Sequence, residues 1–164
     1  MIALSLLFLI LQIGLVIFLF YMCIASATGA PFVPSKRTAA EAMIKLANIK
    51  KGDTVYDLGS GNGKLLLLAA QKGARAIGYE INPILVLLSN LRGAKTRWKS
   101  FWRADIHDAD IIFIYLIPWK MERLAKKLKK ELKPGTIIVS NSFIFPHWKI
   151  IRQDLANHVY VFRV

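Results

Sequence analysis

The sequence predicts an α/β fold, a mostly parallel sheet with helices on both faces, preceded by one apolar N-terminal helix. Three observations predict it. From residue 53 onward, hydrophobic runs of strand length alternate with helix-length segments, and strands joined by helical crossovers pair in parallel. The first of these strands runs into Val55-Tyr56-Asp57-Leu58-Gly59-Ser60-Gly61-Asn62-Gly63-Lys64, a glycine turn that opens a helix. Ahead of both, Ile2 to Ile24 is broken only by Ser5, Gln12 and Gly14, a stretch long enough to cross a bilayer as a helix.

At 164 residues the chain has room for one domain behind that helix. Residues 1–27 are expected to be a transmembrane anchor, 28–52 a linker and an amphipathic helix ahead of the core, and 53–164 the α/β domain. Ala25-Ser26-Ala27 resembles a cleavage site, but no charge precedes Lys36 and the apolar run is too long for a signal peptide, which favours the anchor. The basic residues nearest the helix, Lys36, Arg37, Lys45, Lys50 and Lys51, all follow it, so the positive-inside rule places the domain in the cytoplasm.

Thr28 to Ser35 reads as a proline-punctuated linker, with Ser35 the N-cap of a helix over Thr38 to Asn48. Lys51-Gly52-Asp53 turns into strand one, and a helix follows from Gly63 to Gln71. Strand two is Ala74-Arg75-Ala76-Ile77-Gly78-Tyr79-Glu80, and Asn82-Pro83 starts a helix through Leu91. Strand three is expected near Ser100 to Ala104, strand four over Asp110 to Leu116, and a helix from Lys120 to Leu132 ahead of Lys133-Pro134-Gly135. Thr136 to Ser140 and Val159 to Phe162 read as the remaining strands.

The glycine turn carries the chemistry. Glycines accept positive φ and let a ligand approach the backbone, and the helix behind them directs free N–H groups and its positive dipole end toward the turn. A triphosphate loop requires Gly-Lys-Ser/Thr, but Lys64 is followed by Leu65. A dinucleotide turn has Gly-x-Gly-x-x-Gly, whereas Gly59, Gly61 and Gly63 are spaced Gly-x-Gly-x-Gly. Ligands of such sheets bind at the carboxyl ends of the strands, where Asp57, Glu80 and Asp105 are expected to fall, each closing one of the first three strands.

Asp57-Leu58-Gly59-Ser60-Gly61-Asn62-Gly63 resembles the first motif of the Rossmann-like, seven-strand S-adenosylmethionine methyltransferases. The resemblance implies S-adenosyl-L-methionine as cofactor. It gives Glu80 the ribose hydroxyls and gives Asp105, in Phe101-Trp102-Arg103-Ala104-Asp105-Ile106, the adenine amino group. The expected cofactor site is Asp57, Gly59, Ser60, Gly61, Asn62, Gly63, Glu80, Asn82, Asp105, Ile106 and Tyr115. No catalytic residue is assigned. His107, His147 and His158 lack ligand spacing and Cys23 is the single cysteine, so neither a metal site nor a disulfide is expected.

The methyl acceptor is narrowed by charge and by further motifs. The net charge is +13, with basic runs at Lys95, Arg97, Lys99 and Arg103 and along Lys120, Arg123, Lys126, Lys127, Lys129, Lys130 and Lys133. An anionic membrane surface is the first reading of these runs and nucleic acid the second. After strand four, Tyr115-Leu116-Ile117-Pro118-Trp119 departs from the Asn/Asp-Pro-Pro-Tyr/Phe turn that resembles amide and adenine-amino methyltransferases, which counts against those targets. Phe32-Val33-Pro34, Gly78-Tyr79-Glu80-Ile81-Asn82-Pro83, Glu131-Leu132-Lys133-Pro134-Gly135 and Phe143-Ile144-Phe145-Pro146-His147-Trp148 together resemble the small protein-lysine methyltransferases. That group includes the mitochondrial enzyme acting on the ATP synthase c-subunit and archaeal relatives. The resemblance implies transfer to a protein lysine; a lipid or quinone headgroup, or RNA, is the alternative acceptor. A lysine must react as the neutral amine, which costs about 4 to 5 kcal/mol at pH 7. Desolvation and nearby positive charge reduce that cost.

Overall fold

A computed structural model describes residues 2–28 and 35–164. Of the expected linker, Thr28 to Ser35, residues 29–34 lie outside the described residues. The chain divides into two compact units, 1–33 and 34–164.

In the first unit, α1 (Ile2–Thr28) is a single helix. Its Ala3–Phe20 segment has a mean hydropathy of 2.8, and none of it is buried. It is long and apolar enough to cross a membrane by length and composition.

The second unit is built on a seven-stranded sheet in the order β3-β2-β1-β4-β5-β7-β6. Its strands are β1 (Thr54–Leu58), β2 (Arg75–Glu80), β3 (Thr96–Trp98), β4 (Ile111–Ile114), β5 (Ile137–Asn141), β6 (Arg152–Asp154) and β7 (Val159–Arg163). The first five pair in parallel, and β7 is antiparallel to both of its neighbours. The helices are α2 (Arg37–Ala47), α3 (Lys64–Gln71), α4 (Pro83–Leu91) and α5 (Pro118–Glu131). Every residue of β1 and β4 is buried, as expected of central strands covered on both faces.

Small residues set how closely the layers approach. Ala39, Ala40, Ala42, Met43 and Ala47 on α2 are buried, and the last four join a core with Val55, Leu66, Phe113, Val139 and Val161. The pre-core helix is thus part of the 34–164 unit. On α5, Pro118 occupies the first turn, where its missing N–H costs nothing, and Met121, Leu124, Ala125 and Leu128 turn inward. A Cβ on Gly78 would stand 2.3 Å from Ser60 Oγ and 2.6 Å from Leu66 Cδ1, so this position in β2 has no room for a side chain.

The structure corrects three local expectations. Strand three is Thr96–Trp98, and Phe101–Arg103 is a turn of 3-10 helix. Asn90 explains the placement: its side chain accepts from Thr96 N at 2.8 Å and donates to Thr96 O at 3.0 Å, fixing the strand one turn after α4. The apolar Phe101-Trp102 pair, which mimics a strand in sequence, is instead a ring pair with centroids 4.7 Å apart. The N-cap of α2 is Lys36, without a side-chain bond, because Ser35 is engaged elsewhere. The Ser35 carbonyl accepts from Lys64 Nζ at 2.9 Å, and its hydroxyl from Asn141 Nδ2 at 3.4 Å. Finally, β6 is three polar residues, Arg-Gln-Asp, with no alternation to mark it, and it is held by register with β7.

Replacing Gly78 with alanine is expected to lower stability by about 1 to 3 kcal/mol through overpacking. A drop in the thermal unfolding midpoint, with the circular dichroism of the native state retained, checks this.

Candidate cofactor and acceptor site

Register places the functional ends side by side. Leu58 pairs with Tyr79 and Ile114, Ile114 with Ser140, and Glu80 with Trp98. Gly59, Glu80, Tyr115 and Asn141 therefore share the carboxyl edge of the sheet. A cleft of about 390 Å³, lined by Lys50, Asp53, Asp110, Lys133 and Arg152 among others, lies at the opposite, amino edge.

The glycine turn is formed by backbone bonds that its sequence makes possible. Gly59, Gly61 and Gly63 have φ of 91°, 52° and 79°, a left-handed region in which a side chain is strained. Gly59 N and Ser60 N both donate to Tyr79 O, at 2.9 and 3.1 Å, and fold the turn over the end of β2. Gly59 is exposed, with open space where a Cβ would stand, whereas a Cβ on Gly63 would meet Ser89 Oγ at 2.2 Å. One glycine thus faces the site and the other lets α4 close behind it. Behind the turn, Thr96 Oγ1 lies 2.7 Å from Ser89 Oγ and 3.4 Å from Ser60 Oγ, a buried hydroxyl cluster. Asn62 accepts from Lys64 N at 3.4 Å, at the entry to α3.

Two carboxylates meet at this edge. Glu80 Oε2 accepts from Gly61 N at 2.9 Å, and Oε1 accepts from Ile81 N at 2.8 Å and Asn82 N at 2.9 Å. A carboxylate offers about four acceptor positions, so one remains for a ligand hydroxyl. Asp57 is buried, and no donor among the described residues reaches its carboxyl. Burial, reinforced by the neighbouring negative charge of Glu80, pushes its pKa up to about 7. A buried acid without a donor, beside a glycine open to solvent, suits a cationic, hydroxyl-bearing ligand.

The other expected residues fall into distinct positions. Asn82 caps α4, its side chain accepting from Ile84 N at 2.9 Å and Leu85 N at 3.4 Å. Asp105 does not close a strand. It follows the 3-10 turn, is exposed, and bonds His107 Nδ1 at 2.7 Å, which lowers its pKa and raises that of His107. Its backbone is nonetheless tied to β2, since Tyr79 Oη donates to Asp105 O at 3.1 Å. Ile106 is wholly buried, leaving it a packing role at the loop. Tyr115 is half-buried and stacks on Phe143, with centroids 6.5 Å apart.

Sequence reasoning missed several supports. Lys127, counted with the surface charge of α5, is folded inward at 9% side-chain exposure. It donates to Ala104 O at 3.0 Å and pairs with Glu131, bracing the loop that carries Asp105. Others of that run are also engaged: Arg123 lies 4.4 Å from the Trp102 ring centroid, Lys129 lies 5.3 Å from that of Trp148, and Lys133 pairs with Asp110. Only the i, i+4 spacing of Lys127 and Glu131 could have signalled the first. The Ser89–Thr96 pair had a clearer mark, a serine four residues from Leu85 on the inward stripe of α4.

Comparison with known proteins decides the family. A model of the ANTKMT methyltransferase domain matches residues 57–152, from the acid of the glycine motif to the first residue of β6. The chain belongs to the ANTKMT methyltransferase family. It is 35% identical over 126 residues to the human ATP synthase c-subunit lysine N-methyltransferase, covering 72% of this chain but only 54% of that protein. To a protein-lysine N-methyltransferase of Saccharolobus islandicus it is 35% identical over 140 residues, covering 77% of this chain and 87% of that one. Among solved structures, an RNA methyltransferase from Salinibacter ruber in complex with S-adenosyl-L-homocysteine superposes with a TM-score of 0.75. Its identity is 34%, covering 80% of this chain and 93% of that one. ANTKMT-family membership makes S-adenosylmethionine the cofactor of this fold, and the buried acid, the open glycine and the spare Glu80 acceptor fit it.

Because the folded state holds the Asp57 proton up to about pH 7, whereas the unfolded chain loses it near pH 4, stability falls as pH rises between those values. It then levels off, the penalty being on the order of 4 kcal/mol. Asp57→Asn is expected to match the parent at pH 4 and to exceed it by a few kcal/mol at pH 8. Unfolding midpoints of both proteins across that range check the sign.

Proposed function

We propose that this chain is a membrane-anchored enzyme that transfers a methyl group from S-adenosylmethionine to a protein lysine side chain. The observation that carries the reading is the family match opening on Asp57, together with the archaeal protein-lysine N-methyltransferase, most of whose length the chain covers. The human relative acts, by its name, on the ATP synthase c-subunit, and the chain spans about half of it.

The edge supplies what the reaction needs from a protein. When bound, the cofactor supplies a methyl already activated on a sulfonium. Asp57 and Glu80 hold positive charge and hydroxyl groups at the turn, and Asp105 and Ile106 border the loop beyond it. Tyr115 and Phe143 present half-buried rings at the ends of β4 and β5. Such walls exclude water and favour the neutral, nucleophilic amine over the ammonium. Alignment is then the chief task left to the site, and no general base is assigned. The anchor in this reading is α1, with the domain on the cytoplasmic side because Lys36, Arg37, Lys45, Lys50 and Lys51 follow the helix.

One observation favours a second acceptor. The structural neighbour at 34% identity is described as an RNA methyltransferase, and the net charge of +13 suits phosphate.

Methyl-labelled S-adenosylmethionine supplied to membranes containing the protein separates these readings once the label is partitioned among protein, lipid and RNA. Label in protein, recovered as methyl-lysine, is the expected result; label confined to RNA or lipid overturns the lysine reading. Asp57→Ala should reduce incorporation about 10- to 100-fold, the loss expected for a charged contact.

A further inference from the structure

The helix behind the glycine turn is apolar on both sides. Leu85 and Ser89 face the sheet, as one stripe of a surface helix should. The opposite stripe, Ile84, Leu87, Leu88 and Leu91, has the i, i+3, i+4, i+7 spacing of a buried face, yet these residues are 67%, 59%, 41% and 74% exposed. Trp98, 70% exposed, is tied to the start of this helix, its indole N–H donating to Ile81 O at 2.9 Å two residues before α4 begins. Contiguous apolar surface of this kind marks a contact rather than a solvated face.

The surrounding charge indicates what covers it. From Pro83 to Ala104 there is no Asp or Glu, whereas Arg92, Lys95, Arg97, Lys99 and Arg103 are all basic. None of these five is ion-paired among the described residues, in contrast to Lys127 and Lys133 on α5. A second copy would bring two such basic collars together and repel. An apolar stripe with a tryptophan and a basic collar is instead the composition of a helix lying in a membrane interface. The same chain also carries α1, long and apolar enough to cross a bilayer.

We propose that the outer face of α4, with Trp98 and its basic collar, is a second membrane contact that docks the domain on an anionic bilayer interface. The proposal deepens the anchored reading above and rests on it for the presence of a bilayer. Because α4 also packs against the glycine turn through Ser89, docking brings the cofactor turn to the membrane surface.

The full chain carrying Cys23→Ser and Leu87→Cys, labelled with a fluorophore and reconstituted in phosphatidylcholine vesicles with or without phosphatidylglycerol, tests this. A matched protein with Ala156→Cys, exposed in the turn between β6 and β7 at the far edge of the sheet, is the control. Doxyl lipids quenching at the headgroup boundary, about 5 to 10 Å deep for an interfacial helix, should quench the label at 87 several-fold more than at 156. The difference should require phosphatidylglycerol and be lost with Arg97→Glu and Lys99→Glu. A chain that sediments with vesicles but is quenched equally at both positions overturns this proposal alone and leaves anchoring by α1 intact. Failure to sediment overturns both, and cross-linking between copies through position 87 in place of quenching assigns the face to a dimer and overturns the bilayer contact.

Discussion

The Glu80 carboxylate is the interaction on which the site depends. It gathers backbone N–H groups from the glycine turn after β1 and from the segment that starts α4, joining two chain reversals at one strand end. Tyr79, next to it, accepts two further N–H groups from the turn and donates its hydroxyl to the loop before β4. The last two residues of β2 thereby hold the turn, the start of α4 and the Asp105 loop. An acid serves here because charged hydrogen bonds to backbone N–H groups are about twice as strong as neutral ones, and one of its acceptor positions remains for the ligand.

That arrangement leaves Asp57 as the strained partner. It is buried beside a carboxylate already satisfied by backbone donors, so its own charge is what the fold opposes and a cation would relieve. The pair divides its roles by environment: Glu80 organises the backbone, and Asp57 carries an unfavourable ionisation that, in the proposed function, a positively charged ligand would offset.

Much of this was legible in the chain. The glycine spacing, the acids at Asp57 and Glu80 and the strand–helix alternation are local signals whose physical causes, positive φ and buried central strands, act within a few residues. What was not legible depends on distant contacts. Strand β3 is placed by the grip of Asn90 on Thr96 rather than by its own hydrophobicity, and Asp105 consequently follows a 3-10 turn instead of ending a strand. Lys127 reads as surface charge until the fold brings Ala104 to it. The outer stripe of α4 looks like a core face in sequence, and only the sheet order, which places α4 beside the edge strand β3, shows it exposed among the described residues.

Asp57, held protonated by burial and by Glu80, is expected to exchange its proton for the cationic cofactor. Titration calorimetry of S-adenosylmethionine into the full chain at pH 6.5, in buffers of differing ionisation enthalpy, measures this exchange directly. Net proton release is predicted on binding by the parent protein and none with Asp57→Asn. Binding without proton release, or release undiminished in that variant, would contradict it.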